Sequence, residues 1–408
     1  MPQRRFAHVV LAGGLLAAIS MGVRQSFGLF LEPISTDLSL SHEVFGLVIA
    51  IQNLVWGLAL PVAGMVADRF GAARVLVVCG MSYVAGLSLA VISVDAVSLQ
   101  FSLGVLVGLG LSGTTWAVVL GAVGRLVSRE YHSLALGLVT AGGSLGMFAT
   151  VPIAQHLLAG YGWIVTLLIL AGAASFVPLL AGVLRSPPAS DRGAKHNSDF
   201  DSLGKALHEA RRHRSYWLLN GGFLVCGFHI AFVATHLPAY LTENGVGSQV
   251  AGWSLAMIGL FNIVGTYVCG VLGGRYSRKH LLGLLYTTRS IIIAAFVAVP
   301  LSNISALMFS AAIGFLWLGT VPLTSGLVGH IFGVRYLSSL FGIVFFSHQL
   351  GAFAGAWLGG YMYDLTGSYQ LVWLVSIGLG VVAALLHWRI DDVPVRQRRF
   401  VPDSASAS

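Results

Sequence analysis

The chain has 408 residues, 56% of them hydrophobic and only 9% charged, with a mean hydropathy of +0.83. Soluble domains carry about 25% charged residues, so this composition excludes a water-soluble globular protein and points to an integral membrane one. The 51 glycines suit close helix packing in lipid, while Cys79, Cys226 and Cys269 lie in apolar segments without paired spacing and give neither a disulfide framework nor a metal site.

Apolar windows of about 20 residues, the length that crosses a bilayer, fall at 8–31, 44–66, 75–94, 98–120, 133–157, 162–184, 215–241, 251–273, 281–300, 304–326, 338–362 and 370–388. This predicts an all-α integral membrane protein with twelve transmembrane helices. The opening stretch "MPQRRFAHVVLAGGLLAAIS" has the outline of a signal peptide, but its apolar run continues too far, so it reads as the first span. Arg4 and Arg5 precede span 1. Further Lys and Arg follow spans 2, 4, 6, 8, 10 and 12, among them Arg69, Arg74, Arg125, Arg129, Arg275, Lys279 and Arg335. The alternate connections hold Glu32, Asp37, Glu43, Asp95, Glu243 and Asp364, and no Lys or Arg. By the positive-inside rule both termini face the cytoplasm, with the chain in the cytoplasmic membrane. The net charge of +8 is then a topology signal, and no nucleic-acid partner is expected.

The segment 185–214, with Pro187 and Pro188, is the one long polar connection. It divides the chain into an N-terminal bundle (1–184), a cytoplasmic linker (185–214), a C-terminal bundle (215–390) and a cytoplasmic tail (391–408). Within the linker, Leu203, Ala206, Leu207 and Ala210 share a helical face beside Lys205, Arg211 and Arg212, which predicts a short amphipathic helix on the membrane surface.

An internal repeat runs through the two halves. "GMVADRFGAAR" (64–74) follows span 2 and "GVLGGRYSRKH" (270–280) follows span 8, so Gly64 and Arg69 map onto Gly270 and Arg275. "GLVTAGGSLG" (137–146) likewise matches "GIVFFSHQLG" (342–351). Such duplication predicts two pseudo-symmetric six-helix bundles, a known transporter architecture. The first loop, with Gly64, Asp68, Arg69, Gly71 and Arg74, resembles the signature of the major facilitator superfamily; the second copy has Gly274 in place of Asp68. In physical terms, Asp68 at a helix end can pair with a basic neighbour and latch one conformation. A narrower resemblance, through "IQNLVWGLALPVAGMVADRFG", "GLVTAGGSLGMFATVPIAQHLLAGYGW" and "LGAFAGAWLGGYMYDLTGSY", is to bacterial members of the monocarboxylate and oxalate–formate transporter group. It implies that Arg24, eight residues before Glu32, meets a substrate carboxylate. Departures are Asn262 and Thr266 in span 8 where eukaryotic members carry Asp and Arg, Ile164 after Trp163, and His348 with Gln349 where oxalate-type members have Lys.

Of the 23 Lys and Arg residues, Arg24 and Arg289 alone fall inside spans, and no Asp or Glu lies near the middle of one. A guanidinium there costs on the order of 3 kcal/mol on insertion scales, so an intramembrane charge is a functional-site hypothesis. Arg24 without an acid needs an anion, carbonyls or water, and its planar fork suits a carboxylate. Arg289 can bind substrate, snorkel, or hold Tyr286 and nearby carbonyls. His229, His236, His348, Gln349 and Asn262 complete the candidate substrate set, and the histidines are candidate proton carriers; for each histidine the alternative is a ring held by a backbone carbonyl. Gln52 and Asn53 read as interhelical hydrogen bonds. Trp56, Trp116 and Trp317 read as packing or cavity lining. No nucleotide loop or metal cluster is present, and "GGSLG" (142–146) lacks the strand and base of a hydrolase elbow, so no enzyme and no cofactor is expected.

The sequence thus predicts a secondary transporter of a small organic anion, such as a monocarboxylate, acting as a monomer, with proton symport, exchange for a counter-anion and uniport all open. Transport of a larger amphipathic or aromatic compound, in either direction, is the first alternative, and a non-transporting sensor the second.

Overall fold

A computed structural model describes residues 3–185, 203–333 and 336–395. Among these residues there are α-helices and short 3₁₀ and π segments, and no strand. α1 (Gln3–Ser26) passes through a 3₁₀ turn (Phe27–Phe30) into α2 (Leu31–Asp37), making the first crossing. α3 (His42–Phe70) and α4 (Ala72–Ala90) are the second and third. The fourth is composite: α5 (Ala96–Leu99), a π stretch (Gln100–Leu106), α6 (Val107–Thr114) and α7 (Trp116–Leu126). α8 (His132–Ala174) is hydrogen-bonded as one element of 43 residues, yet Gly162 inside it has φ 75° and ψ 175°. A straight helix of that length would be about 65 Å long, roughly twice the hydrocarbon core. Gly162 therefore divides it into the fifth and sixth crossings, the latter ending in α9 (Phe176–Leu180).

The second half begins with α10 (Leu203–Arg212) and continues through α11 (Arg214–Glu243), α12 (Ser248–Arg275) and α13 (Arg278–Ala298). Its fourth crossing is also broken, into α14 (Asn303–Phe315) and α15 (Thr320–Phe332), and α16 (Leu337–Thr366) and α17 (Gln370–Trp388) complete it. Eleven segments are long and apolar enough to cross a membrane, and one of them, Leu134–Leu180, supplies two crossings. That gives the twelve expected.

The repeat is visible in the local chemistry. The fourth crossing of each half starts with a capping box, Asp95 with Ser98 in one and Ser302 with Ser305 in the other. Each of these crossings then breaks at its middle, at Thr115 (φ −110°, ψ −162°) and at Leu316–Gly319. In the first break, Thr114 and Thr115 turn their hydroxyls back to the carbonyls of Gly110 (3.0 Å) and Leu111 (2.7 Å).

The predicted linker helix is α10, which buries Ala206 and Ala210 and exposes Lys205, Arg211 and Arg212. The Trp217 indole donates to the Arg211 carbonyl (2.8 Å) and ties this helix to α11. Residues 186–202, with Pro187 and Pro188, lie outside the described residues, as do Arg335 and the tail beyond Val395.

The halves meet at the end that carries the acidic connections. A methyl group at Gly46 would sit 2.5 Å from the Ala356 carbonyl, and one at Gly360 would sit 2.1 Å from that of His42, so only glycine permits this approach of α3 and α16. Farther toward the basic end, Gly64 on α3, Gly137 on α8, Gly270 on α12 and Gly342 on α16 would meet nothing within 4 Å. The halves are closed against each other at the acidic end, and these glycines have open space beside them toward the basic one.

Candidate functional site at the midplane

Arg24 lies in the last turn of α1, half-buried, where the helix tightens into the 3₁₀ turn. One terminal nitrogen, Nη2, donates to Asn53 Oδ1 on α3 (3.0 Å), and the guanidinium lies 5.0 Å from the centroid of the Trp56 ring one turn along. Asn53 is itself fixed, since its amide nitrogen donates to the Ile49 carbonyl four residues back (2.8 Å). That bond aims its oxygen at Arg24. No acidic side chain pairs with this arginine among the described residues.

From Trp56 the contacts cross into the other half. Trp56 meets Phe345 on α16 edge-on (5.7 Å between centroids), and Phe345 stacks on His348 (5.6 Å, 7° between planes). His348 Nδ1 lies 3.1 Å from Gln349 Oε1, and Gly57 admits the Gln349 methylenes against α3. Three N–H donors in this group are buried without an acceptor: Arg24 Nε, Trp56 Nε1 and Gln349 Nε2. Each orphaned buried donor costs roughly 1–3 kcal/mol. Donors from α1, α3 and α16 with no carboxylate among them form an environment for an acceptor-rich anion.

Four residues expected beside Arg24 are engaged elsewhere. Arg289 is 1% exposed and donates from Nη2 to the carbonyls of Leu316 (2.5 Å) and Trp317 (3.1 Å), with Nη1 3.6 Å from Cys226 Sγ. It holds the carbonyls freed where the tenth span breaks, at the negative end of α14. Asn262 secures the same break from the other side: its Oδ1 accepts from Leu318 N (3.0 Å) and Thr266 Oγ1 (3.1 Å), and its Nδ2 donates to Ser144 Oγ on α8 (2.9 Å). His229 Nε2 is 2.8 Å from the Ser376 carbonyl on α17, and His236 Nε2 is 2.7 Å from the Ala356 carbonyl on α16. Both rings are at most 1% exposed and have the carbonyl partner of the alternative reading. His348 and Gln349, by contrast, stand at the midplane group. Gln52 donates to the Leu103 carbonyl (2.9 Å), an interhelical bond as expected.

At the basic end, Asp68 pairs with Arg125 Nη1 on α7 (2.8 Å), both within the first half. Gly71 joins α3 to α4 at φ 91°, Arg69 lies over the Phe70 ring, and Arg74 and Arg275 are exposed. Phe345 went unnoticed in the sequence because an aromatic residue in an apolar span carries no local mark. A signal did exist in the phase of α16, since it lies one turn before His348.

The profile of the Major Facilitator Superfamily matches residues 13–317 and, again, 237–403. Among curated relatives, mouse monocarboxylate transporter 12 is 24% identical over 96% of this chain and 88% of its own length. Bovine monocarboxylate transporter 13 is 26% identical over 95% and 90%. The uncharacterized MFS-type transporter YcxA of Bacillus subtilis is 26% identical over 94% and 95%. Among solved structures, a bacterial homologue of the human lysosomal transporter Spinster superposes with a TM-score of 0.79 at 16% identity, covering 95% of this chain and 97% of its own. A D-xylose–proton symporter does so at 0.73 and 16% identity, covering 97% and 99%. These relatives and neighbours are transporters, not enzymes. With twelve crossings in two like halves, the loop at Gly64–Arg74, and profile matches that run through both halves, this chain belongs to the major facilitator superfamily.

Proposed function

We propose that this transporter moves a small organic anion, of the monocarboxylate class, by alternating access about the group centred on Arg24. The observation that carries the reading is the set of unpaired donors Arg24 Nε, Trp56 Nε1 and Gln349 Nε2, contributed by both halves around a guanidinium without a carboxylate. The names of the relatives support the same substrate class. An anion held there would bridge α1 and α3 to α16, so its occupancy would bear on how the halves sit together. His348 is the histidine of this group, and it is the proposed place for a coupled proton. The basic end is the proposed cytoplasmic mouth, with the linker and both termini on that side.

The test is uptake of a labelled monocarboxylate panel by wild type, Arg24→Ala and Arg24→Lys, with thermal stability measured with and without ligand. Arg24→Ala should fold and lose transport. Arg24→Lys should keep partial activity at poorer affinity, since the point charge remains and the fork is lost. An Arg24→Ala protein transporting at the wild-type rate would end the proposal.

A further inference from the structure

At the closed acidic end, one imidazole stands among four carboxylates drawn from both halves. His42 opens α3. Its Nε2 lies 3.2 Å from Glu32 Oε1 on α2, and its Nδ1 lies 3.0 Å from the Tyr369 hydroxyl and 4.0 Å from Glu243 Oε1 on α11. Asp364 on α16 accepts from the backbone N–H groups of His42 (3.2 Å) and Glu43 (2.7 Å), and Glu43 accepts from the Trp357 indole (3.1 Å). The imidazole stacks on Tyr363 (4.3 Å), which stacks in turn on Tyr369 (4.6 Å). His236, bonded to the Ala356 carbonyl, and Tyr240, both on α11, are the further titratable rings packed on Tyr369. Glu32, His42 and Glu43 belong to the first half; Glu243, Tyr363, Asp364 and Tyr369 belong to the second.

Closing this end therefore gathers Glu32, Glu43, Glu243 and Asp364 around His42, with His236, bonded to a backbone carbonyl, as the other imidazole nearby; none of the chain's lysines or arginines lies in these connections. Tyr369 reports the resulting field: burial first, and then Glu243 and Glu32, hold its phenol well above the usual range. A neutral imidazole accepts from Tyr369 at Nδ1 and turns its Nε2 edge to Glu32, whose Oε1 has no hydrogen-bond partner, and it leaves Glu243 without a counter-charge. An imidazolium donates from both edges and faces both carboxylates.

We propose that this end is a proton-binding gate, in which His42 takes up a proton as the halves close and bridges Glu32 to Glu243. The site is separate from the Arg24 group and does not depend on which substrate is carried. The sign follows from the partners. The charged ring has two carboxylates only in the closed state, so closure is favoured at low pH and weakens as pH rises. Acid on this face of the membrane would hold the protein in the conformation seen here and slow its return to the state open toward that acid.

The test uses the full chain in lipid nanodiscs without substrate. Spin labels are placed at Val94→Cys and Ser302→Cys, exposed positions at the acidic end of opposite halves, with the native cysteines replaced by alanine. Pulsed dipolar distances then give the ratio of closed to open protein at pH 6.0 and pH 8.5. One linked proton permits at most about tenfold per pH unit, so the wild-type ratio should fall roughly fivefold or more across this range. In His42→Gln it should change less than about twofold. If that variant fails to fold, Glu32→Gln combined with Glu243→Gln keeps the imidazole, removes its partners, and should flatten the dependence equally. A wild-type ratio indifferent to pH overturns the proposal, and so does a variant that keeps the full wild-type dependence.

Discussion

Replacing Arg289 with methionine separates a structural arginine from a substrate-binding one. In the structure its Nη2 holds two carbonyls, Leu316 at 2.5 Å and Trp317 at 3.1 Å, at the break between α14 and α15. A hydrogen bond to a charged group is worth about 1.5–3 kcal/mol, so the two together amount to roughly 3–6 kcal/mol. These values are already net of desolvation, so methionine, which leaves both carbonyls unpaired, should lose about 3–6 kcal/mol. Arg289→Lys reaches one carbonyl at best and should lose about half as much. Thermal unfolding in detergent should show the order wild type, lysine variant, methionine variant. Substrate affinity of the folded fraction, read by isothermal titration, should stay within about threefold of wild type, because Arg289 has no contact with the Arg24 group. A methionine variant of wild-type stability that no longer binds substrate would refute this account and return Arg289 to the binding site.

Asn53→Asp places a carboxylate where an amide oxygen now meets Arg24 at 3.0 Å. The internal ion pair should lower anion affinity by about tenfold or more without loss of folded protein, as measured by ligand-dependent thermal shift. Asp68→Asn removes the 2.8 Å pair with Arg125, whose aspartate side chain is 63% exposed. Stability should change by less than about 1 kcal/mol, while the transport rate falls more than substrate affinity; equal loss of both, or of neither, counts against a latch.

What the sequence disclosed depended on whether the property is local. Twelve crossings could be counted because hydropathy accumulates along the chain, and the segregation of basic from acidic connections needed only the positions of charges. Arg24 stood out because a single charge in an apolar run has no neighbour to explain it. The direction in which a polar side chain faces was a different matter. α11 buries residues on every side, from Phe223 and Cys226 to His229 and His236, so its pattern has no stripe to show which face meets the cavity. His229 and His236 share a face as predicted by their spacing, yet that face turns to the carbonyls of α17 and α16. Arg289 and Asn262 were illegible for another reason: their partners are backbone groups exposed by the break at Leu316–Gly319, which exists only once the tenth span has folded. The gate around His42 was spread over four helices. Its acids were counted for topology, and nothing local marked them as neighbours.

The twin breaks in the fourth and tenth spans carry a mechanical consequence. At Thr115 the freed carbonyls are satisfied by hydroxyls of the same turn, which travel with the backbone if it bends. At Leu316–Gly319 the carbonyls are satisfied by Arg289 from α13, and the freed Leu318 N–H by Asn262 from α12, so bending there would strand a guanidinium in the interior. Duplication supplied both joints, but the first is a free hinge and the second is pinned. The N-terminal half therefore carries the break that can bend without unpairing a charge, and the C-terminal half the break that cannot.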